Sequence, residues 1–211
     1  MDRYIEKKAE KVKEKIEEDI NSKNLSEIKD CFNYILNDKE LKFIEYYNST
    51  VLKGKKIDFE EFSKQWGLIF AKDFYANFNK VFKKDYDKRI NEIRKKRDII
   101  DFYIRFCIPK EGYIQHSFCS KLFHTILPEE FPPVDSNLIN RFKLKNESYI
   151  LSIFIIKKAY EEYIKNNEDK IDKIREILSK EKFKDLQIKK ISNIRIIDMF
   201  YRWYIKNKSI K

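Results

Sequence analysis

Ile5, Ala9, Val12, Ile16 and Ile20 follow one another at spacings of four, three, four and four, which places them on one face of an amphipathic helix over residues 3–20. Glu and Lys fill the other faces as pairs one turn apart. Ser26 is the expected cap of a second helix over 27–37, and a third is expected over about 39–51. Lys53-Gly54-Lys55-Lys56 reads as a loop. Asp58 followed by Glu61 has the form of a capping box. The helix it opens is expected to carry Phe59, Phe62, Trp66, Ile69, Phe70, Phe78, Val81 and Phe82 on one broad, core-forming face. A long charged helix with Ile90, Ile93, Ile99, Ile100 and Ile104 is expected to continue to about Cys107.

Beyond an irregular stretch at 108–135, Asp135 or Ser136 starts a short helix through Phe142. Residues 149–156 (YILSIFII) are apolar nearly all round and should be the most buried part of a helix reaching Lys165. Further helices are expected over 168–180 and 192–206. In the last, Ile194, Ile197, Tyr201 and Tyr204 point inward, with Arg195, Arg202 and Lys206 toward solvent. Only three glycines and four prolines are present, so the turn chemistry that a β-sandwich or a Gly-rich phosphate loop needs is missing. The expectation is an all-α, orthogonal bundle of seven to nine helices forming a single domain. If it divides into lobes, they are about 1–107 and 108–211.

Charge changes the picture. Lys and Arg total 46 against 35 Asp and Glu, a formal excess of +11. The segments 80–97 (net +6) and 182–211 (net +7) together carry more than all of it. Two basic segments on a near-neutral body suit an anionic partner such as nucleic acid, although a solvated basic surface has the same composition. Cys31, Cys107 and Cys119 are odd in number and contain no CxxC pair, so neither a disulfide framework nor a cysteine zinc site is expected. No apolar run approaches the ~20 residues of a membrane span, and the amino terminus is charged rather than signal-like. A soluble, cytoplasmic protein is expected.

All four prolines (Pro109, Pro128, Pro132, Pro133), both histidines (His116, His124) and two of the three cysteines fall within residues 107–133. Prolines fix φ and stop helices, so the backbone here is irregular but stiff, a common setting for an active site. The segment reads as helix, loop, helix. Residues 117–124 form an apolar-backed helix, 128–134 a rigid loop, and Asp135-Ser136 the start of the next helix. That arrangement can bring Lys121 and Asp135 together. His116 and His124 are eight residues apart, within about 80° of each other around a helix. A metal needs more ligands than these two, so none is expected.

A lysine in the first turn of an apolar helix, followed by Pro133-Val134-Asp135 at the head of the next, resembles the helix-hairpin-helix DNA glycosylase superfamily. Within it, the segment is most similar to 8-oxoguanine DNA glycosylase-like proteins of bacteria and archaea. The resemblance covers about residues 110–145, and Arg195-Ile196-Ile197-Asp198-Met199 resembles the family less specifically. It implies that Lys121 attacks C1′ of a damaged nucleotide and that Asp135 is the partnering carboxylate. Where the family's hairpin carries Gly-x-Gly just before the lysine, this chain has His116-Ser117-Phe118-Cys119-Ser120, and Gly112 is the glycine available upstream.

The chemistry is coherent in the residues themselves. A lysine attacks only when neutral, and Phe118, Leu122 and Phe123 could desolvate Lys121. Asp135 could take its proton or stabilise the sugar cation. A flipped base needs an aromatic pocket, for which Phe118, His124 and Trp66 are the residues of suitable type. Arg141, Lys143, Lys145 and Gly112 could hold phosphates. Each also has an ordinary role: Asp135 is a good helix N-cap, and Lys121 is one lysine among many. The expected function is therefore excision of a damaged purine through a lysine Schiff base with abasic-site lyase activity. A monomer would act on damaged double-stranded DNA without cofactor, metal or membrane. Two alternatives are a non-catalytic basic nucleic-acid-binding protein for defence or regulation, and an interaction module that pairs helix 3–20 with a partner helix.

Overall fold

The computed structural model describes residues 2–35, 38–53, 55–68, 78, 82, 84–95, 99–107, 116–180 and 190–208. Of these, the side chains of 31–35, 38–41, 52, 106, 107, 180, 203 and 206–208 are not described. Eleven α-helices and no strand are present among the described residues: α1 (Asp2–Asn21), α2 (Leu25–Ile35), α3 (Asp38–Tyr47), α4 (Phe59–Gln65), α5 (Tyr86–Arg94), α6 (Ile99–Cys107), α7 (His116–Ile126), α8 (Ser136–Arg141), α9 (Tyr149–Asn166), α10 (Glu168–Lys180) and α11 (Asn193–Lys208). The all-α class is as the sequence predicts, with more and shorter helices. No described helix is long and apolar enough to cross a membrane.

The extra breaks have local causes. The predicted aromatic helix stops at Gln65. Gly67 adopts φ +67°, its N–H bonds the Lys64 carbonyl at 3.1 Å, and the Leu68 N–H bonds Ser63 at 2.8 Å. This is a left-handed helix terminus that only glycine adopts without strain. Phe59, Phe62, Phe78 and Phe82 are nevertheless buried together as edge-to-face and stacked rings, while Ile69, Phe70 and Val81 lie outside the described residues. The charged helix ends at Arg94, and α6 begins at Ile99, with Ile100 and Ile104 exposed on it. Asp58 caps α4 by accepting from the Glu60 and Glu61 amides at 3.0 Å each. The predicted third helix ends in a single wide turn, Asn48–Leu52.

Asn24, not Ser26, caps α2. Its side chain accepts from the Glu27 amide and Glu27 accepts from the Asn24 amide, both at 2.9 Å, a reciprocal box that Ser26 sits inside. The stripe of α1 is covered within the chain: Ala9, Val12, Ile16 and Ile20 are buried, and α1 packs along α9. That face is not left open for a partner helix. One connected set of buried side chains runs from Ala9 to Tyr204. Arg195, expected at the surface, is buried at 2% exposure, because the first two turns of α11 are enclosed on every side. Cys119 is buried and disulfide-bonded, against the expectation that the cysteines form no disulfide framework.

Candidate active site

The lysine helix and the aspartate loop are clamped together by two side chains one turn apart on α7. Ser120 donates to the Val134 carbonyl at 2.7 Å, and Tyr149 of α9 donates to the same oxygen at 2.7 Å. His124 meets the Phe131 carbonyl through Nδ1 at 2.7 Å. A carbonyl accepts only, so Nδ1 carries the proton, and Nε2 then accepts from the Tyr47 hydroxyl at 3.0 Å. Burial first, then the charge of Arg195, pushes the His124 pKa down to about 3, and the ring is neutral. Phe131, Pro132, Pro133 and Val134 are all buried, which makes the loop a fixed strut.

The strut ends at Asp135, the N-cap of α8, whose carboxylate accepts from the Leu138 amide at 2.9 Å. Lys121 lies in the second turn of α7, one turn later than the family pattern implies, because the helix begins at His116. The Lys121 amine reaches the Trp66 carbonyl at 3.4 Å and lies 5.8 Å from the Trp66 ring centre. Burial lowers its pKa, while the Asp135 carboxylate and then Asp198 oppose that shift. Lys121 and Asp135 thus share one electrostatic neighbourhood.

Two further residues complete it. Asp198 is paired with Arg195 one turn away on α11. The Arg195 guanidinium in turn lies over the rings of Phe43 (4.9 Å), Trp66 (5.4 Å) and Tyr47 (5.7 Å). A cation among aromatic faces is stabilised by their quadrupoles. Asp135, Asn137, Leu138, Asp198, Tyr201, Arg202 and Ile205 line a cleft of about 170 Å³. The Arg195-to-Asp198 segment was visible in the sequence, but its convergence on Lys121 comes from packing between distant helices.

The other predicted residues are placed differently. Trp66 joins Lys121, with its indole N–H buried and unpartnered. Phe118 is fully buried among Phe59, Phe62 and Phe78, and His124 is a satisfied core residue, so neither presents a face to a ligand. Arg141 turns inward to Asp19. Lys143 and Lys145 are exposed on the turn after α8. Lys143 adopts φ +57° in a left-handed terminus closed by its own N–H to Asn140 (3.1 Å) and the Leu144 N–H to Ile139 (2.9 Å). Gly112 lies outside the described residues, as do parts of both basic segments. His116 pairs with the Tyr103 hydroxyl and stacks on Tyr149 at 4.7 Å. Among the described residues no group of three His, Cys, Asp or Glu side chains forms a metal cradle. No protein-family model matches the chain, and neither a curated protein nor a solved structure matches it significantly.

Proposed function

We propose that the chain is a DNA glycosylase with abasic-site lyase activity, built on an orthogonal helical bundle of the helix-hairpin-helix glycosylase type. The observation that supports it most is the desolvated Lys121 amine, set against Trp66 and within electrostatic reach of the Asp135 carboxylate. Enclosure disfavours the ammonium, so a larger share of the lysine is neutral and nucleophilic than at an exposed site. Its lone pair attacks C1′ of a damaged purine nucleotide and the base departs. The Asp135 carboxylate stabilises the positive charge that develops on the sugar. The resulting Schiff base acidifies the adjacent sugar carbon, and β-elimination of the 3′ phosphate cleaves the strand. Lys143 and Lys145, exposed just past α8, meet phosphates in this reading, with double-stranded DNA bound by a monomer and no cofactor required.

Borohydride trapping on a duplex bearing one 8-oxoguanine, beside a duplex bearing an abasic site, tests this reading. A covalent adduct is expected, and Lys121→Gln is expected to abolish it while duplex affinity is unchanged. Absence of any adduct with the unaltered chain overturns the enzyme reading and leaves non-catalytic nucleic-acid binding in its place.

A further inference from the structure

A second carboxylate, Asp198, lies within electrostatic reach of Lys121. Asp198 lines the same cleft as Asp135, yet the two are held in unlike ways. Asp135 caps a helix at the protein surface, with one oxygen committed to the Leu138 amide. Asp198 is buried at 6% exposure on a helix that meets the site from another direction, and is oriented by Arg195. Arg195 is itself immobilised by Phe43, Tyr47 and Trp66, three aromatic rings from α3 and the end of α4. Trp66 also receives the Lys121 amine on its carbonyl, so lysine and Asp198–Arg195 pair share one support. The charged and titratable groups around Asp198 are Arg195 and Arg202 on its own helix, Asp135 at the head of α8, Lys121 on α7, Tyr160 on α9 and Tyr47 on α3. The Tyr160 hydroxyl, within electrostatic reach of both carboxylates, is buried without a hydrogen-bond partner.

We propose that Asp198 is the proton-carrying carboxylate of this site, dividing the acid–base work with Asp135. The inference rests on the lysine chemistry proposed above. When the neutral Lys121 amine adds to the C1′ aldehyde of an opened abasic sugar, it forms a carbinolamine. The Asp198 carboxyl then gives its proton to the carbinolamine hydroxyl, the C–O bond breaks, water leaves and the C=N bond forms. The product is the protonated iminium, and Asp198, left as a carboxylate, regains its proton from the adjacent sugar carbon as the C–H bond breaks and the 3′ phosphate leaves in the β-elimination. Asp135 lies within electrostatic reach of the lysine nitrogen that carries the iminium. Burial raises the Asp198 pKa, opposed by Arg195 and Arg202, which favours a carboxyl that holds a proton to a higher pH than an exposed aspartate does.

Two readouts test this. The first is the rate of borohydride-trapped adduct on an abasic duplex against pH, for the unaltered chain, for Asp198→Asn and for the double variant Arg195→Met with Asp198→Leu. The double variant replaces the buried pair with apolar side chains and leaves no orphan charge, so it guards against simple unfolding of the single variant. Both are expected to react about a hundredfold more slowly and to lose the decline in rate that the unaltered chain shows as pH rises through the Asp198 pKa. An unchanged rate and pH profile in the folded double variant overturns the proposal. The second readout needs no DNA: reductive methylation of Lys121 by formaldehyde and cyanoborohydride, followed by mass spectrometry. Loss of the Asp198 carboxyl is expected to move the pH dependence of Lys121 labelling to lower pH, and an unmoved profile overturns the proposal. If DNA yields no adduct with the unaltered chain, the glycosylase reading fails, and the labelling profile still decides whether Asp198 and Lys121 are coupled.

Discussion

His124 shows how a residue of a type suited to a base pocket can instead serve the architecture around a site. Its two ring nitrogens bind the Phe131 carbonyl and the Tyr47 hydroxyl, and its ring stacks on Tyr47 with centres 5.5 Å apart. Protonation would place a second proton where a hydroxyl needs an acceptor, close to the charge of Arg195. The pKa of about 3 lies below that of an unfolded histidine, about 6.5. The unfolded chain therefore binds the proton more readily, and the contribution of neutral His124 to stability is complete above pH ~6.5. It is lost progressively as pH falls toward 3, at up to about 1.4 kcal/mol per pH unit. Urea unfolding as a function of pH should show this slope, and His124→Gln should lower stability at neutral pH while flattening it. The histidine's type was legible in the chain; its role was not, because the two partners are 7 and 77 residues away.

At the scale of elements, Asp19 joins three helices. It is 1% exposed near the end of α1 and accepts from Arg141 of α8 through two nitrogens, one at 2.8 Å. It also accepts from the Tyr201 and Tyr204 hydroxyls of α11 at 3.2 and 2.9 Å. These bonds set α1 and α11 against α8, whose first residue follows Asp135. Asp19→Ala leaves Arg141 and two hydroxyls without their shared acceptor, and is expected to cost about 3–5 kcal/mol of unfolding free energy. Replacing both Asp19 and Arg141 by Leu and Met should recover much of that loss. A single variant as stable as the parent chain in chemical denaturation would sink this account. Sequence pattern located α1, α8 and α11 to within a few residues. It read Arg141 as free for phosphate, since nothing local reveals a carboxylate 122 residues away.

Over the whole molecule, the formal +11 excess belongs to a body whose described charges are frequently paired one turn apart along helices, as in Lys64–Glu60 and Lys158–Glu162. Such exposed pairs contribute little to stability but leave a basic surface able to displace counterions from a polyanion. If residues 80–97 and 182–211 make the contact, duplex affinity should fall steeply and linearly in log–log form with salt, by about 0.9 in slope for each phosphate neutralised. Fluorescence anisotropy across a salt series measures this, and an affinity indifferent to salt would remove those segments from the interface.

Helical periodicity, the scarcity of glycine and proline, and the caps at Asp58 and Asp135 settled the class of fold from the chain alone, because each depends on neighbours within one or two turns. The proline cluster likewise marked the stiff loop that carries Asp135. Where a turn depended on one residue's left-handed backbone, as at Gly67, hydrophobic spacing continued straight through the break. Burial of Arg195, the inward turn of Arg141 and the meeting of Lys121 with Asp198 all required folding, because charge and side-chain type are local, while desolvation and pairing arise only when distant helices close around them.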